Sequence, residues 1–288
     1  MSDAPLAPHD LRAGDRVLAT SRRCLVMGVV NVTPDSFSDG GRYLDPAAAV
    51  AHGLALAAEG ADLLDIGGES TRPGAVDVEE TVELDRVLPV IEELARTAGV
   101  PISVDTRKAA VAAAAVAAGA SMINDVSAGR YDPDLLGVAA EAKVPLVLMH
   151  MLGTPATMQD DPRYDDVVAE VEAFLAERCL AAEFAGVDHE ALVVDPGIGF
   201  GKRDRDNYAL LDALARFTRL GHPVLVGTSR KAFIGRALDT PADERVEGTV
   251  ATIVWAVERG ARIVRVHDVA PMVRAVRMTE AMLRWGVS

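Results

Sequence analysis

The chain has 288 residues, of which half are hydrophobic and a quarter are charged, and its net charge is -14. This composition supplies a core and excludes an intrinsically disordered protein. The acidic balance excludes binding to nucleic acid or to an anionic membrane through the overall field of the protein. We therefore expect neither a nucleic-acid partner nor a membrane partner.

The two cysteines, Cys24 and Cys179, form no CxxC pair and have no histidine cluster near them in the sequence. This excludes a cysteine-based zinc site and a disulfide framework, and it indicates a reducing compartment. The first ten residues lack the basic and apolar regions of a secretory signal, and no apolar run is long enough to cross a bilayer. The sequence predicts a cytoplasmic protein.

Eight short runs rich in Val, Ile and Leu recur along the chain, and Ala-, Glu- and Arg-rich segments long enough for helices lie between them. The runs are Leu25–Asn31, Leu63–Gly67, Ile102–Thr106, Met122–Val126, Pro145–His150, Leu192–Gly197, Val224–Ser229 and Arg262–Asp268. Nearly continuous apolar runs are typical of strands buried on both faces in a parallel sheet.

Eight such units predict an α/β fold, a single (β/α)8 TIM barrel over residues 25–288. An open doubly wound sheet is the alternative. Residues 1–24 form an N-terminal extension, and residues 11–24 are predicted to form a small hairpin that closes the bottom of the barrel.

Polar side chains follow the C-terminal ends of all eight runs, which is the edge where TIM barrels carry their active sites. One polar residue at a strand end often only caps a helix, but eight coincident ends indicate a site. Positive charge at this edge suggests an anionic group, and it comes from Arg72, Arg230, Lys231, Arg265 and His267. Carboxylates and an amide inside the mouth suit a neutral ring with N–H donors, and they are Asp105, Asn124 and Asp195. Together they predict a phosphorylated or diphosphorylated heterocycle as the ligand.

Two long loops, 32–44 and 67–77, follow strand ends on this face and are candidate lids. The glycine-rich segment 196–202 lacks the residues of a nucleotide-binding P-loop, so we interpret its glycines as allowing a flat ligand to approach Asp195. Several polar residues have simpler interpretations. Asp65 supports loop 67–77 or contacts substrate, Asp125 and Asp268 cap helices, His150 lies in the core, and Lys202 points to solvent. The remaining histidines, His9, His52, His189 and His222, are predicted to lie on the surface.

The segments GVVNVTPDSFSDGG (28–41), DIGGESTRPGA (65–75) and DPGIGFGK (195–202) resemble the dihydropteroate synthase family of folate biosynthesis. Segments 103–106, 123–129, 148–159, 226–235 and 265–269 carry the same resemblance. It implies a transferase that joins 7,8-dihydropterin-6-ylmethyl diphosphate to p-aminobenzoate and releases pyrophosphate and 7,8-dihydropteroate. The implied mechanism is dissociative and passes through a carbocation-like methylene. The resemblance also implies Mg2+ as cofactor, competition by sulfonamides and a homodimer.

The resemblance further assigns residues to three parts of the site. The pterin part contains Asp105, Asn124, Asp195, Lys231, Arg265, Met149 and Phe200. The diphosphate part contains Asn31, Arg72, Arg265 and His267, with Asn31 also the metal ligand. The p-aminobenzoate part contains Phe37, Thr71, Pro73, Ser229 and Lys231. Asp105, Lys231 and Arg265 are the implied catalytic residues.

The chain departs from the family pattern at two places. Ala232 stands where the family often has Ser, and Asp206 stands where it often has His. Two alternative functions share the barrel: a non-catalytic pterin-binding paralogue and a pterin-dependent methyltransferase. Retention of Asn31, Arg72 and Lys231 favours the synthase over both alternatives.

Overall fold

The computed structural model describes residues 9–33 and 45–285. The strands are β1 (Leu11–Ala13), β2 (Arg16–Leu18), β3 (Leu25–Asn31), β4 (Leu63–Gly67), β5 (Ile102–Asp105), β6 (Met122–Asp125), β7 (Leu146–Met149), β8 (Leu192–Asp195), β9 (Val224–Val226) and β10 (Ala261–Val266). The helices are α1 (Pro46–Ala58), α2 (Glu80–Thr97), α3 (Ala109–Ala117), α4 (Asp134–Ala142), α5 (Val167–Phe184), α6 (Asp204–Asp212), α7 (Leu214–Phe217), α8 (Ala232–Leu238), α9 (Val246–Glu258) and α10 (Val269–Trp285).

Eight parallel strands close into a barrel in the order β10-β3-β4-β5-β6-β7-β8-β9. Closure comes from β10, which pairs with both β9 and β3. The predicted (β/α)8 TIM barrel is therefore confirmed, and the open doubly wound sheet is wrong. No helix within the described ranges is both long and apolar enough to cross a membrane.

Several strands end one to three residues earlier than the sequence predicts. The strand predicted to end at Val126 ends at Asp125, whose carboxylate accepts hydrogen bonds from the amides of Ser127 and Gly129. Asp125 thus shapes a tight turn, and α4 begins only at Asp134. The interpretation of Asp125 as a helix cap is wrong, although its role is structural as expected.

The N-terminal hairpin closes the lower end of the barrel, as predicted. Strands β1 and β2 pair antiparallel, and Leu11, Ala13 and Leu18 are buried. Their side chains pack into one cluster with residues that start the barrel strands. Those residues are Leu25, Met27, Leu63, Met122, Val147, Val193, Leu225 and Ile263. The lower barrel is therefore an apolar core, which leaves the upper mouth for polar side chains.

We expect Leu11→Ala to lower the free energy of unfolding by about 3 kcal/mol, because it opens a cavity where the hairpin meets the barrel. Val17→Ala on β2 of the same hairpin is the matched control, since Val17 is 58% exposed. That control should cost less than about 0.5 kcal/mol. Urea unfolding measures both values, and equal losses would mean that the hairpin does not close the core.

Candidate active site

One arginine joins two carboxylates at the centre of the upper mouth. Nε of Arg265 on β10 donates to Asp65 on β4 over 2.6 Å, and an Nη of the same guanidinium donates to Asp105 on β5 over 2.7 Å. The amide of Asn124 on β6 donates to the same oxygen of Asp65 over 3.0 Å. Four strands of the barrel thus contribute to one buried polar cluster. Asp65 is fully buried and supports Arg265 and Asn124, a role different from the two that the sequence left open, support of loop 67–77 and contact with substrate.

The charges in this cluster are unequal, with two carboxylates beside one guanidinium. Burial raises the pKa of Asp105 to about 7, an effect that Arg265 opposes and Asp65 reinforces. Burial acts to lower the pKa of Arg265, but Asp65 and Asp105 raise it above its ordinary value. Arg265 therefore stays charged, and Asp105 is the group that exchanges a proton near neutral pH.

A second pair of opposite charges lies on the other side of the mouth. Oδ1 of Asp195, at the end of β8, accepts a hydrogen bond from the amide of Gly197 over 2.7 Å. Burial raises the pKa of Asp195, against the effect of Lys231. Burial also lowers the pKa of Lys231 to about 8, against the effect of Asp195. Burial thus makes the charged form of each group less favourable than it is in water.

The loop after β8 brings its backbone against Lys231. The ammonium of Lys231 donates to the carbonyl of Ile198 and lies 4.5 Å from the centre of the Phe200 ring. A Cβ on Gly199 would come within 3.0 Å of the Lys231 side chain. Asn207 fixes this loop, because its side-chain oxygen accepts from the Gly199 amide over 2.6 Å. The glycines therefore allow close packing of this loop against neighbouring protein atoms, and their predicted role in the approach of a flat ligand to Asp195 stays a prediction.

Apolar side chains line one wall of the mouth. Met149 packs with Val126, Met151 and Met158, and Phe200 lies against this cluster. The structure thus brings together the two predicted wall residues, Met149 and Phe200. The sequence analysis did not single out the other three, although all of them fall inside segments that carry the family resemblance. Because these residues are widely spaced along the chain, the sequence does not indicate that they share one surface.

The rim after β9 and β10 differs from the expected cluster of positive charge. Arg230 makes a bidentate ion pair with Asp268, at 2.9 and 2.5 Å, which neutralises its charge. Asp268 directly precedes α10, and its role as a helix cap stays a prediction. The Nδ1 atom of His267 lies 3.1 Å from the Ser229 hydroxyl. Burial, together with Arg265 and Arg230, lowers the pKa of His267 to about 4. His267 is therefore a neutral hydrogen-bonding group at pH 7, and its predicted positive charge is wrong.

Loop 67–77 has an anchored base and an exposed tip. Arg72 and Pro73 are exposed and Thr71 is half-buried. The Gly74 amide donates to the carbonyl of Pro155, beyond β7, over 3.0 Å. The tip thus lies over the mouth from the β4 side. Phe37 and most of loop 32–44 lie outside the described residues.

Buried ion pairs hold the base of this loop. Glu69 pairs with Arg107 at 2.9 Å and with Lys108 at 3.1 Å, and Lys108 also pairs with Glu83. Glu69 further accepts from the Val78 amide over 3.0 Å. Sequence reasoning did not assign these residues, and the available signal was an Arg-Lys pair directly after β5 in a chain with only four lysines.

Two predictions about basic side chains are wrong. Lys202 is 2% exposed and donates to His150 Nδ1 over 2.9 Å and to the Phe200 carbonyl over 3.0 Å, so it does not point to solvent. His222 is 4% exposed and not on the surface. The core interpretation of His150 is confirmed, since it is buried and its ring meets Phe174 edge-on at 4.8 Å. Asp206 pairs with Arg203 at the start of α6.

Comparisons with known proteins agree with this geometry. The profile of the pterin binding enzyme family matches residues 27–267. A dihydropteroate synthase of Bacillus subtilis is 49% identical over 93% of this chain and 92% of its own length. This chain belongs to the dihydropteroate synthase family.

Solved structures of family members superpose on nearly the whole barrel. A Xanthomonas albilineans synthase with 4-aminobenzoic acid is 55% identical, with a TM-score of 0.90 over 95% of this chain and 98% of that one. A structure from the same organism with 7,8-dihydropteroate is 51% identical, with a TM-score of 0.87 over 96% and 99% of the two chains. The fold is therefore that of the family.

We expect Gly197→Ala to destabilise the protein by about 3 kcal/mol or more, because φ is +67° and a Cβ would lie 1.8 Å from the His150 carbonyl oxygen. Gly99→Ala is the matched control, since its φ is +70° and no atom lies within 4 Å of its Cβ position. The control should cost only about 1–2 kcal/mol. Urea unfolding of the two variants would contradict this account if their losses were equal.

Proposed function

We propose that this chain condenses 7,8-dihydropterin-6-ylmethyl diphosphate with p-aminobenzoate to form 7,8-dihydropteroate and pyrophosphate. The supporting observation is the buried set of Asp105, Asn124 and Asp195, faced by Arg265 and Lys231 within one mouth. A pterin edge presents neighbouring N–H donors, and carboxylates accept such donors in pairs. These features, the family membership and the solved complexes of relatives all favour this reaction.

In this proposal the pterin ring lies between the two charged pairs. Asp195 accepts from the amino-pyrimidine edge, and Asn124 and Asp105 contact the neighbouring ring nitrogens. Lys231 donates to the carbonyl side of the ring. Arg265, oriented by Asp65, stacks on the ring with its planar guanidinium. Met149 and Phe200 supply the apolar walls of the slot.

The diphosphate would lie toward Asn31, Arg72 and His267. Asn31 is half-buried at the end of β3, and its amide oxygen is a hard neutral ligand of the kind that Mg2+ accepts. Mg2+ binds few protein groups when substrate phosphates supply further oxygens, so a single asparagine fits. When bound, Mg2+ neutralises charge on the leaving diphosphate. Neutral His267, positioned by Ser229, donates a hydrogen bond, and Arg72 supplies positive charge.

The proposed reaction is dissociative. The bond between the methylene carbon and the diphosphate oxygen breaks first, and its electron pair leaves with the diphosphate. The resulting cation is shared with the electron-rich dihydropterin, and Asp105 stabilises it electrostatically. The amine of p-aminobenzoate then forms the C–N bond and loses a proton to solvent. No enzyme nucleophile is needed.

The second substrate would bind under the loops. Thr71, Pro73, Ser229 and Lys231, together with Phe37, form the proposed p-aminobenzoate part, where sulfonamides compete. Ala232 removes the hydroxyl that many relatives carry beside Lys231. Because the other proposed contacts remain, we infer that this change alters affinity for p-aminobenzoate and not the reaction.

We further propose a homodimer that forms through α9 and α10. These two helices pack together, and large apolar side chains on them remain exposed. The exposed fractions are 47% for Trp255, 61% for Met278, 52% for Met282 and 39% for Leu283. An exposed apolar patch of this kind is typical of a protein interface.

The two buried, unpaired cysteines favour a cytoplasmic location.

The decisive test is pyrophosphate release with pterin diphosphate and Mg2+, with and without p-aminobenzoate. We expect multiple turnovers that yield dihydropteroate. Asp195→Asn should weaken binding of a phosphate-free pterin analogue by about 10²-fold, because an amide cannot accept two parallel N–H donors. Asp212→Asn, at an exposed carboxylate on α6, is the matched control. Pterin binding without release would favour a non-catalytic paralogue.

The affinity for the pterin analogue should depend on pH with a maximum between about 7 and 8. Below this range Asp105, whose pKa is raised to about 7, takes up a proton and loses acceptor capacity. Above it Lys231, whose pKa is lowered to about 8, loses its charge. Isothermal titration from pH 5.5 to 9.5 measures the profile. Asp105→Asn should change the acidic limb, to which Asp195 also contributes, and Lys231→Arg should remove the alkaline limb. An unchanged profile in either variant would contradict the assignment.

A further inference from the structure

A cluster of histidines lies at the lower end of the barrel, far from the mouth. Glu183 is near the end of α5, His189 lies just before β8, and His222 lies just before β9. Each offers one ligand atom, and these atoms all lie within 4.8 Å of one another. His9, which precedes β1, has its ring centre 6.1 Å from those of both His189 and His222. The fold thus gathers four potential ligands from segments distant in sequence.

Two ring nitrogens in this cluster have no partner. Nε2 of His9 and Nδ1 of His222 are both buried and make no hydrogen bond. Buried polar atoms normally find a partner, because leaving one without a partner costs about 1–3 kcal/mol. The backbone also faces these rings: the His222 ring lies near the backbone of His189, and the His9 ring lies near that of Glu190.

This pattern is typical of histidines that bind metals. A metal-binding histidine usually uses one nitrogen for a backbone or carboxylate partner, which leaves the lone pair of the other nitrogen for the ion. Burial lowers the pKa of His222 to about 4, and burial with His189 lowers that of His9. Glu183, whose carboxylate lies 2.6 Å from Nδ1 of His189, supplies the negative charge.

We propose that Glu183, His189, His222 and His9 bind one Zn2+ ion in a structural site at the lower end of the barrel. Imidazole and carboxylate ligands suit zinc, and four protein ligands are typical of a structural site. Tetrahedral zinc places its ligand atoms about 3.3 Å apart, so side-chain rotations that close the present cluster by about 1.5 Å or less suffice for the first three residues. Mg2+ does not suit this nitrogen-rich set.

The ion would fasten the start of the described chain to the barrel. His9 is separated by one residue from β1, whose Leu11 closes the lower core. His189 and His222 precede two neighbouring barrel strands, β8 and β9. A bound ion therefore links the N-terminal hairpin to the segments that lead into these strands. Because zinc would bind only the folded state, it should raise stability by mass action.

The test uses untagged, full-length protein stripped with EDTA and free of diphosphate, and it measures zinc by equilibrium dialysis with mass spectrometry. We expect one equivalent of Zn2+ for the wild type and less than about 0.2 for His222→Ala and for His189→Ala. Zinc at 100 times its Kd should raise the wild-type Tm by roughly 5 °C, with no such rise in these variants. Substitution by Co2+ should give the visible absorption of a tetrahedral site.

His267→Ala is the matched control, because His267 lies in the upper mouth, at the opposite end of the barrel from the proposed zinc site. This variant should retain the full equivalent of zinc. Circular dichroism and synthase turnover of His222→Ala show whether that variant folds. Absence of bound zinc in the wild type would overturn the proposal. Loss of the bound zinc in His267→Ala together with its retention in His222→Ala would also overturn it. Retention of zinc by His9→Ala would limit the site to three protein ligands and contradict the role of His9.

Discussion

The two-pronged contact of Arg265 with Asp65 and Asp105 organises the upper half of the barrel. It joins β10 to β4 and β5, and Asn124 extends the same cluster to β6. Only a planar guanidinium reaches two carboxylates at once in fixed directions. Losing one partner would leave a buried charge uncompensated, which costs about 3–5 kcal/mol in comparable sites. The geometry of the mouth therefore depends on this contact more than on any single apolar residue.

The excess of carboxylate in this cluster also explains its chemistry. One guanidinium cannot neutralise Asp65 and Asp105 fully, so burial raises the pKa of Asp105 to about 7. Across the mouth, burial raises the pKa of Asp195 and lowers the pKa of Lys231. In the proposed reaction, a neutral ring rich in N–H donors would relieve this excess, and a cation that develops on the ring would relieve it further. The same excess of negative charge would then favour both pterin binding and the departure of diphosphate.

The sequence predicted the barrel because each strand is a short apolar run buried on both faces, a pattern that needs no knowledge of distant contacts. It predicted Asp105, Asn124 and Asp195 for a related reason, since all C-terminal strand ends meet at one edge. It left Asp65 open and mistook Lys202, because their roles depend on partners 200 and 52 positions away in the chain. The charge of His267 was wrong because burial, which sequence patterns do not report, keeps its ring neutral.

Loop 67–77 has a fixed base and an exposed tip, an arrangement that suits a reaction of two substrates. Glu69, Lys108 and Glu83 fix the base with ion pairs whose side chains are at most 8% exposed. Arg72 and Pro73 at the tip remain exposed. Ordering a whole loop on binding costs conformational entropy for every residue that becomes fixed. Because the base is already fixed, that cost falls on the few residues at the tip, which are the ones proposed to meet the diphosphate and p-aminobenzoate.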